Sequence, residues 1–119
     1  MAQYSLPPKA VFDVQGTLSR LGGDEELLAD MIGFFVEDAP PLITELQSAI
    51  ETQDAPAVKK AAHALKGLVL GCGGVRAGHA VQRVEDAAAA GEIDALVPLV
   101  ADLTTEIDEL VAATLPYRT

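Results

Sequence analysis

Apolar positions recur three and four residues apart along nearly the whole chain, and strand-like alternation persists nowhere. That spacing predicts helices. After a polar lead containing prolines, Val14 to Leu21 reads as a short first helix stopped by Gly22-Gly23. Asp24 then caps a longer second helix, with Glu25 and Glu26 in its first turn complementing the helix dipole. Leu28, Met31, Ile32 and Phe35 form its buried stripe, which Leu42, Ile43, Leu46 and Ile50 continue to about Thr52. Pro40-Pro41 falls inside this run. Proline removes backbone donors and crowds the preceding turn, so one kinked helix is expected rather than two.

Asp54 caps a third helix that tolerates Pro56 in its first turn and runs to about Gly71. It ends in the cluster Gly71-Cys72-Gly73-Gly74. A fourth helix spans roughly Val75 to Ala90, with Ala77, Val81, Val84 and Ala88 inward and Gly91 as its stop. The last runs from about Asp94 to Thr114, with Leu96, Val100, Leu103, Ile107 and Leu110 at heptad-like spacing. Pro98 lies in its first turn and Pro116 ends the pattern. Four main helices with short connections, preceded by the short one, predict an all-α, antiparallel four-helix bundle. A chain of 119 residues without repeat or low-complexity linker is expected to be one domain, 1–119, with a helical core over about 13–115.

Composition narrows the picture. Half the residues are apolar but few are aromatic, so Ala, Leu, Val and Ile must make the core, as suits close-packed helices. The net charge of −10 argues against nucleic acid as a partner. Cys72 is alone, which excludes an internal disulfide and fits a reducing cytoplasm. The start, Met1-Ala2-Gln3-Tyr4-Ser5, has no signal-peptide pattern, and no apolar run approaches the roughly 20 residues that span a bilayer. A cytoplasmic protein without membrane partner is expected, acting as a monomer.

The acidic chain contains a basic island. From Lys59 to Arg83 there is no Asp or Glu, yet Lys59, Lys60, Lys66, Arg76 and Arg83, five of the eight basic residues, all fall there. Such segregation creates a region attractive to negative charge. On a wheel of about 100° per residue, Val58, Ala61, Leu65, Leu68, Val69 and Cys72 cluster opposite His63. His63 is therefore the centre of the solvent face of the third helix, with Lys59, Lys60, Lys66, Gly67 and Leu70 around it. A glycine inside a helix costs about 1 kcal/mol relative to alanine. At Gly67 it leaves the imidazole unshielded so that another protein can approach; the plainer alternative is that Gly67 begins the helix end.

The partner of the imidazole follows from a hairpin register. If the third and fourth helices turn at Gly73-Gly74, His63 and Glu85 lie equally far from the turn and side by side. A carboxylate accepting from Nδ1–H would fix the tautomer and leave Nε2 as the exposed nucleophile. The bland alternative for Glu85 is a solvated residue at a helix edge.

The run Ala62-His63-Ala64-Leu65-Lys66-Gly67, with Gly73 ten residues after the histidine, resembles the signature of histidine-containing phosphotransfer (HPt) domains. Phe35-Val36-Glu37-Asp38-Ala39-Pro40 ahead of it, Val84-Glu85 after it, and Gly91 before the last helix are also similar to that family. The resemblance covers about Leu18 to Leu115. It implies a four-helix bundle that carries a phosphoryl group on histidine in exchange with an aspartate of receiver domains, in response regulators or hybrid kinases. By that resemblance His63 is the phosphoacceptor, Lys66 helps hold the phosphoryl oxygens, Gly67 admits the receiver and Glu85 orients the imidazole. Lys59, Lys60 and Leu70 would join Gly67 in partner binding. Leu68 and Val69 depart from the commonly small residues of the family, implying a bulkier helix contact that Gly74 and Gly78 could offset.

The residue chemistry agrees. Neutral imidazole, with an ordinary pKa of about 6.5, is a good nucleophile toward phosphorus near neutral pH. No phosphate-cradling glycine loop followed by Lys-Ser/Thr is present, nor an acid cluster for Mg²⁺ beside the histidine. The expectation is a relay that needs no cofactor or metal and is not itself an enzyme, with catalysis supplied by its partner. The alternatives are an unphosphorylated adaptor that binds a receiver or partner helix, and a metal site of His63, Cys72 and His79. The latter is disfavoured because His63 and Cys72 point to opposite sides of one helix.

Overall fold

The computed structural model describes residues 10–118, so the lead from Met1 to Ser5 lies outside it. Five helices follow in order: α1 (Val14–Arg20), α2 (Glu25–Glu51), α3 (Ala55–Gly71), α4 (Val75–Ala89) and α5 (Ile93–Thr114). A short 3₁₀ turn, Leu115–Tyr117, ends the described chain. Aspartates begin three of them by accepting an orphan amide of the first turn. Asp13 accepts from Gly16, Asp24 from Leu27 and Asp54 from Ala57.

Packing proceeds around a ring. Helix α2 lies on α3, α3 on α4, α4 on α5, and α5 returns to α2. Short connections between neighbours make the four long helices antiparallel. The seam is apolar: Phe35, Leu28, Ile32, Leu46, Leu65, Val81, Val84, Leu96, Leu103 and Leu110 are fully buried. Met31, Leu42, Ile43, Ile50 and Leu68, assigned to the core from their spacing, are only partly buried. They flank the seam rather than fill it.

Helix α2 continues through Pro40 and Pro41 as one helix. Both prolines are exposed, so the carbonyls that lose their intrahelical donors one turn earlier are within reach of water.

Helix α1 is fastened across the turn that joins α3 to α4. The Asp13 amide donates to the Gly73 carbonyl at 2.9 Å, and an Arg20 guanidinium N–H donates to the Leu70 carbonyl at 3.3 Å. Gly73 turns with φ of 90°, a left-handed conformation that disfavours any side chain. Gly74 lies against Leu110, where an added Cβ would come within 2.5 Å of the leucine methyl. Gly78 faces Leu70 and not Leu68 or Val69, so the two small residues make room for other side chains than the sequence suggested.

Candidate functional site

The alanines of α3 place the histidine. Ala61 and Ala62 are buried against the bundle together with Val58, Leu65 and Val69, which turns the opposite side outward. The His63 side chain is 71% exposed at the centre of that side. Lys59 and Lys60 are exposed beside it, and Leu70, two turns further along, is 48% exposed. A side chain built at Gly67 would meet nothing within 4 Å. Nothing in the packing of the domain requires glycine there.

Helix α4 supplies the other half of the site. Val84 anchors it in the core with no exposed surface, and Glu85 emerges at the groove between α4 and α3. Its Oε2 lies 3.0 Å from His63 Nδ1. Its Oε1 lies 2.9 Å from Lys66 Nζ. That second contact is close but poorly aligned, since Oε1 has no hydrogen-bonding partner of good geometry. The aligned donation of Lys66 goes instead to Gln82 Oε1, at 3.2 Å. Gln82 in turn donates through Nε2 to Asp86 Oδ1 at 2.9 Å.

These contacts set the charge state. The Lys66 ammonium holds the Glu85 carboxyl below the usual carboxylate range; burial pushes the other way, and the contact with His63 adds to the lowering. Glu85 is therefore ionised near neutral pH and can only accept. The proton in the 3.0 Å contact must then sit on Nδ1, so that in the neutral ring the lone pair belongs to Nε2. A cavity of about 540 Å³ lined by Pro56, Lys59, Lys60, His63 and Glu85 opens in front of the ring.

His63, Lys59, Lys60, Lys66, Gly67, Leu70 and Glu85 thus border one surface, and the hairpin register brings His63 to Glu85 as expected. Two features were missed. Lys66 is engaged with Glu85 and Gln82, and Gln82 belongs to the site. Sequence offered one signal for the latter: Gln82 precedes Glu85 by three residues and so shares its helical face. The three residues weighed as metal ligands are spread apart. Cys72 is fully buried while His63 and His79 are exposed. Among the described residues, no group of three or more His, Cys, Asp or Glu side chains could hold a metal ion. No helix among them is long and apolar enough to cross a membrane.

Comparison with known proteins identifies the family and the fold. A model of the Hpt domain family matches residues 30–113. Among solved structures, the crystal structure of histidine-containing phosphotransfer protein B (HptB) from Pseudomonas aeruginosa PAO1 superposes with a TM-score of 0.82 at 21% identity. The match covers 92% of this chain and 95% of the other. No curated protein matches the sequence.

Proposed function

The chain belongs to the Hpt domain family, whose members carry phosphoryl groups between the proteins of two-component phosphorelays, and we propose that His63 is the phosphoacceptor. The observation that carries this reading is the His63–Glu85 contact: one ring nitrogen is held by a carboxylate while the other faces an open, lysine-bordered surface.

In this reading the lone pair of Nε2 attacks the phosphorus of an aspartyl phosphate in a receiver domain. The Nε2–P bond forms as the P–O bond to the aspartate breaks, and the aspartate leaves as a carboxylate. The proton stays on Nδ1, where Glu85 stabilises the positive charge that develops on the ring. Lys66, within contact of the same carboxylate, offers its remaining N–H to the phosphoryl oxygens. Lys59 and Lys60 add positive charge to the approach, and Gly67 and Leu70 form the surface on which the receiver docks. Return of the phosphoryl group to another receiver reverses the same steps.

ATP chemistry is left to the partner kinase, and the phosphoryl-transfer metal to the receiver. The domain works as a monomer in the cytoplasm, in keeping with a single free and buried thiol. An adaptor role would account for the fold but would leave the paired His63 and Glu85 without a use.

The test is transfer of label from a receiver domain charged with radiolabelled acetyl phosphate. Wild type should acquire acid-labile, alkali-stable label and His63→Gln none. Label that persists in His63→Gln, or that is lost with His79→Gln instead, would overturn the assignment.

A further inference from the structure

Lysine is a poor choice for a fixed contact. Its ammonium rides on four rotatable bonds, so a cation left to itself samples a wide volume above the helix. At this site it does not. Lys66 Nζ sits between Gln82 Oε1 at 3.2 Å and Glu85 Oε1 at 2.9 Å, and its side chain is only 25% exposed although the helix face is open. The two acceptors differ in what else they do. Glu85 must also hold the imidazole, whereas Gln82 makes no hydrogen bond to His63.

Gln82 is itself oriented. A free amide could present either its oxygen or its nitrogen to the lysine. Donation from Nε2 to Asp86 Oδ1, one turn along α4, settles the matter: the nitrogen faces Asp86, so the oxygen faces Lys66. A relay of contacts therefore runs Asp86–Gln82–Lys66–Glu85–His63 across the α3–α4 groove.

The geometry points to Gln82 as a positioning residue for phosphoryl transfer, which holds the Lys66 ammonium beside the imidazole without hydrogen bonding to the ring. This inference rests on the reading of His63 as the phosphoacceptor and of Lys66 as a cation for the phosphoryl oxygens. Without Gln82, Lys66 is left with a single, poorly aligned attachment on Glu85. The ammonium then either wanders from the reacting group or draws on the carboxylate that His63 needs.

The measurement is the single-turnover rate of transfer from a receiver domain charged with radiolabelled acetyl phosphate. The variants are His63→Gln, Lys66→Ala, Gln82→Met, Gln82→Asn and the double variant Lys66→Ala/Gln82→Met. Gln82 is exposed, so both of its substitutions should fold, and thermal melts verify that. Gln82→Met keeps the length and removes the acceptor; Gln82→Asn keeps the amide but falls short of the lysine. Each should slow transfer roughly three- to tenfold, the scale of losing one charge-assisted contact that is partly solvated. In the Lys66→Ala background the Gln82→Met change should have no further effect, an interdependence that a merely structural role would not produce. Wild-type rates in both Gln82 variants, or equal slowing with and without Lys66, would overturn the inference. Label on His63→Gln would overturn the reading beneath it, and that outcome is distinct from either.

Discussion

His63 and Glu85, 22 residues apart in the chain, meet through Nδ1 and Oε2 at 3.0 Å across the groove between α3 and α4. The other oxygen of the same carboxylate faces Lys66. One anion thus serves two cation-forming groups through separate atoms, and an amide, with a single acceptor oxygen, cannot replace it in both.

Glu85→Gln should therefore retain contact with either His63 or Lys66 and lose the other, whereas Glu85→Ala loses both. Transfer should slow in both variants, more in Glu85→Ala, and remain above the null level of His63→Gln because the nucleophile is still present. NMR of the imidazole nitrogens should show the Nδ1–H tautomer in wild type and a released preference in Glu85→Ala. An unchanged tautomer in that variant would mean that the two side chains do not meet in solution.

Gly67→Gln separates docking from stability. The added side chain has open space and enters a helix interior that prefers Gln to Gly, so the fold should gain about 0.5 kcal/mol. The same side chain would project beside His63 where a receiver must come close. Urea denaturation should show the gain, while transfer should fall by at least tenfold; transfer at the wild-type rate would refute the close approach.

The Glu85 carboxyl has a defined pH signature. Its value in the folded protein is lowered, chiefly by Lys66, relative to the roughly 4.3 of an unfolded chain. Its stabilising contribution is thus present above the unfolded value and is lost as pH falls through the lower folded one. Carboxyl NMR titration should place the Glu85 midpoint below that of the unfolded chain, and Lys66→Ala should raise it. A midpoint unmoved in Lys66→Ala would show that the lysine does not stay at the carboxylate.

Cys72 should be silent in the native protein. Burial pushes its thiol up to about 11, and it has no exposed surface. At pH 8 only about one molecule in a thousand would carry the thiolate, so Ellman's reagent should react slowly until urea unfolds the chain. Prompt native reactivity would mean that the end of α3 opens readily.

The helices were legible because each carries its own start signal and an apolar spacing that only a helix satisfies; Asp24 and Asp54 did as much as the leucines. Glu85 was legible for a different reason. Two helices joined by a tight turn pair residues by their distance from it, and the distance to Gly73-Gly74 is countable. The engagement of Lys66 was not, because it depends on how far α3 rolls against α4. That roll is decided by Ala61, Ala62 and Leu65 packing against the bundle, and a wheel centred on one helix cannot supply it. The fastening of α1 was hidden for a related reason: Arg20 and Leu70 are 50 residues apart, and the acceptor is a backbone carbonyl, which has no sequence signature.

That fastening makes the last turn of α3 the mechanical junction of the molecule. Asp13 grips the Gly73 carbonyl and Arg20 the Leu70 carbonyl, so a force or a fusion applied ahead of α1 is delivered in part directly to the helix that bears His63. Of the two attachment points, Leu70 lies two turns from the imidazole and on the same face. Asp13 and Arg20 therefore hold α1 at the edge of the face that carries the imidazole.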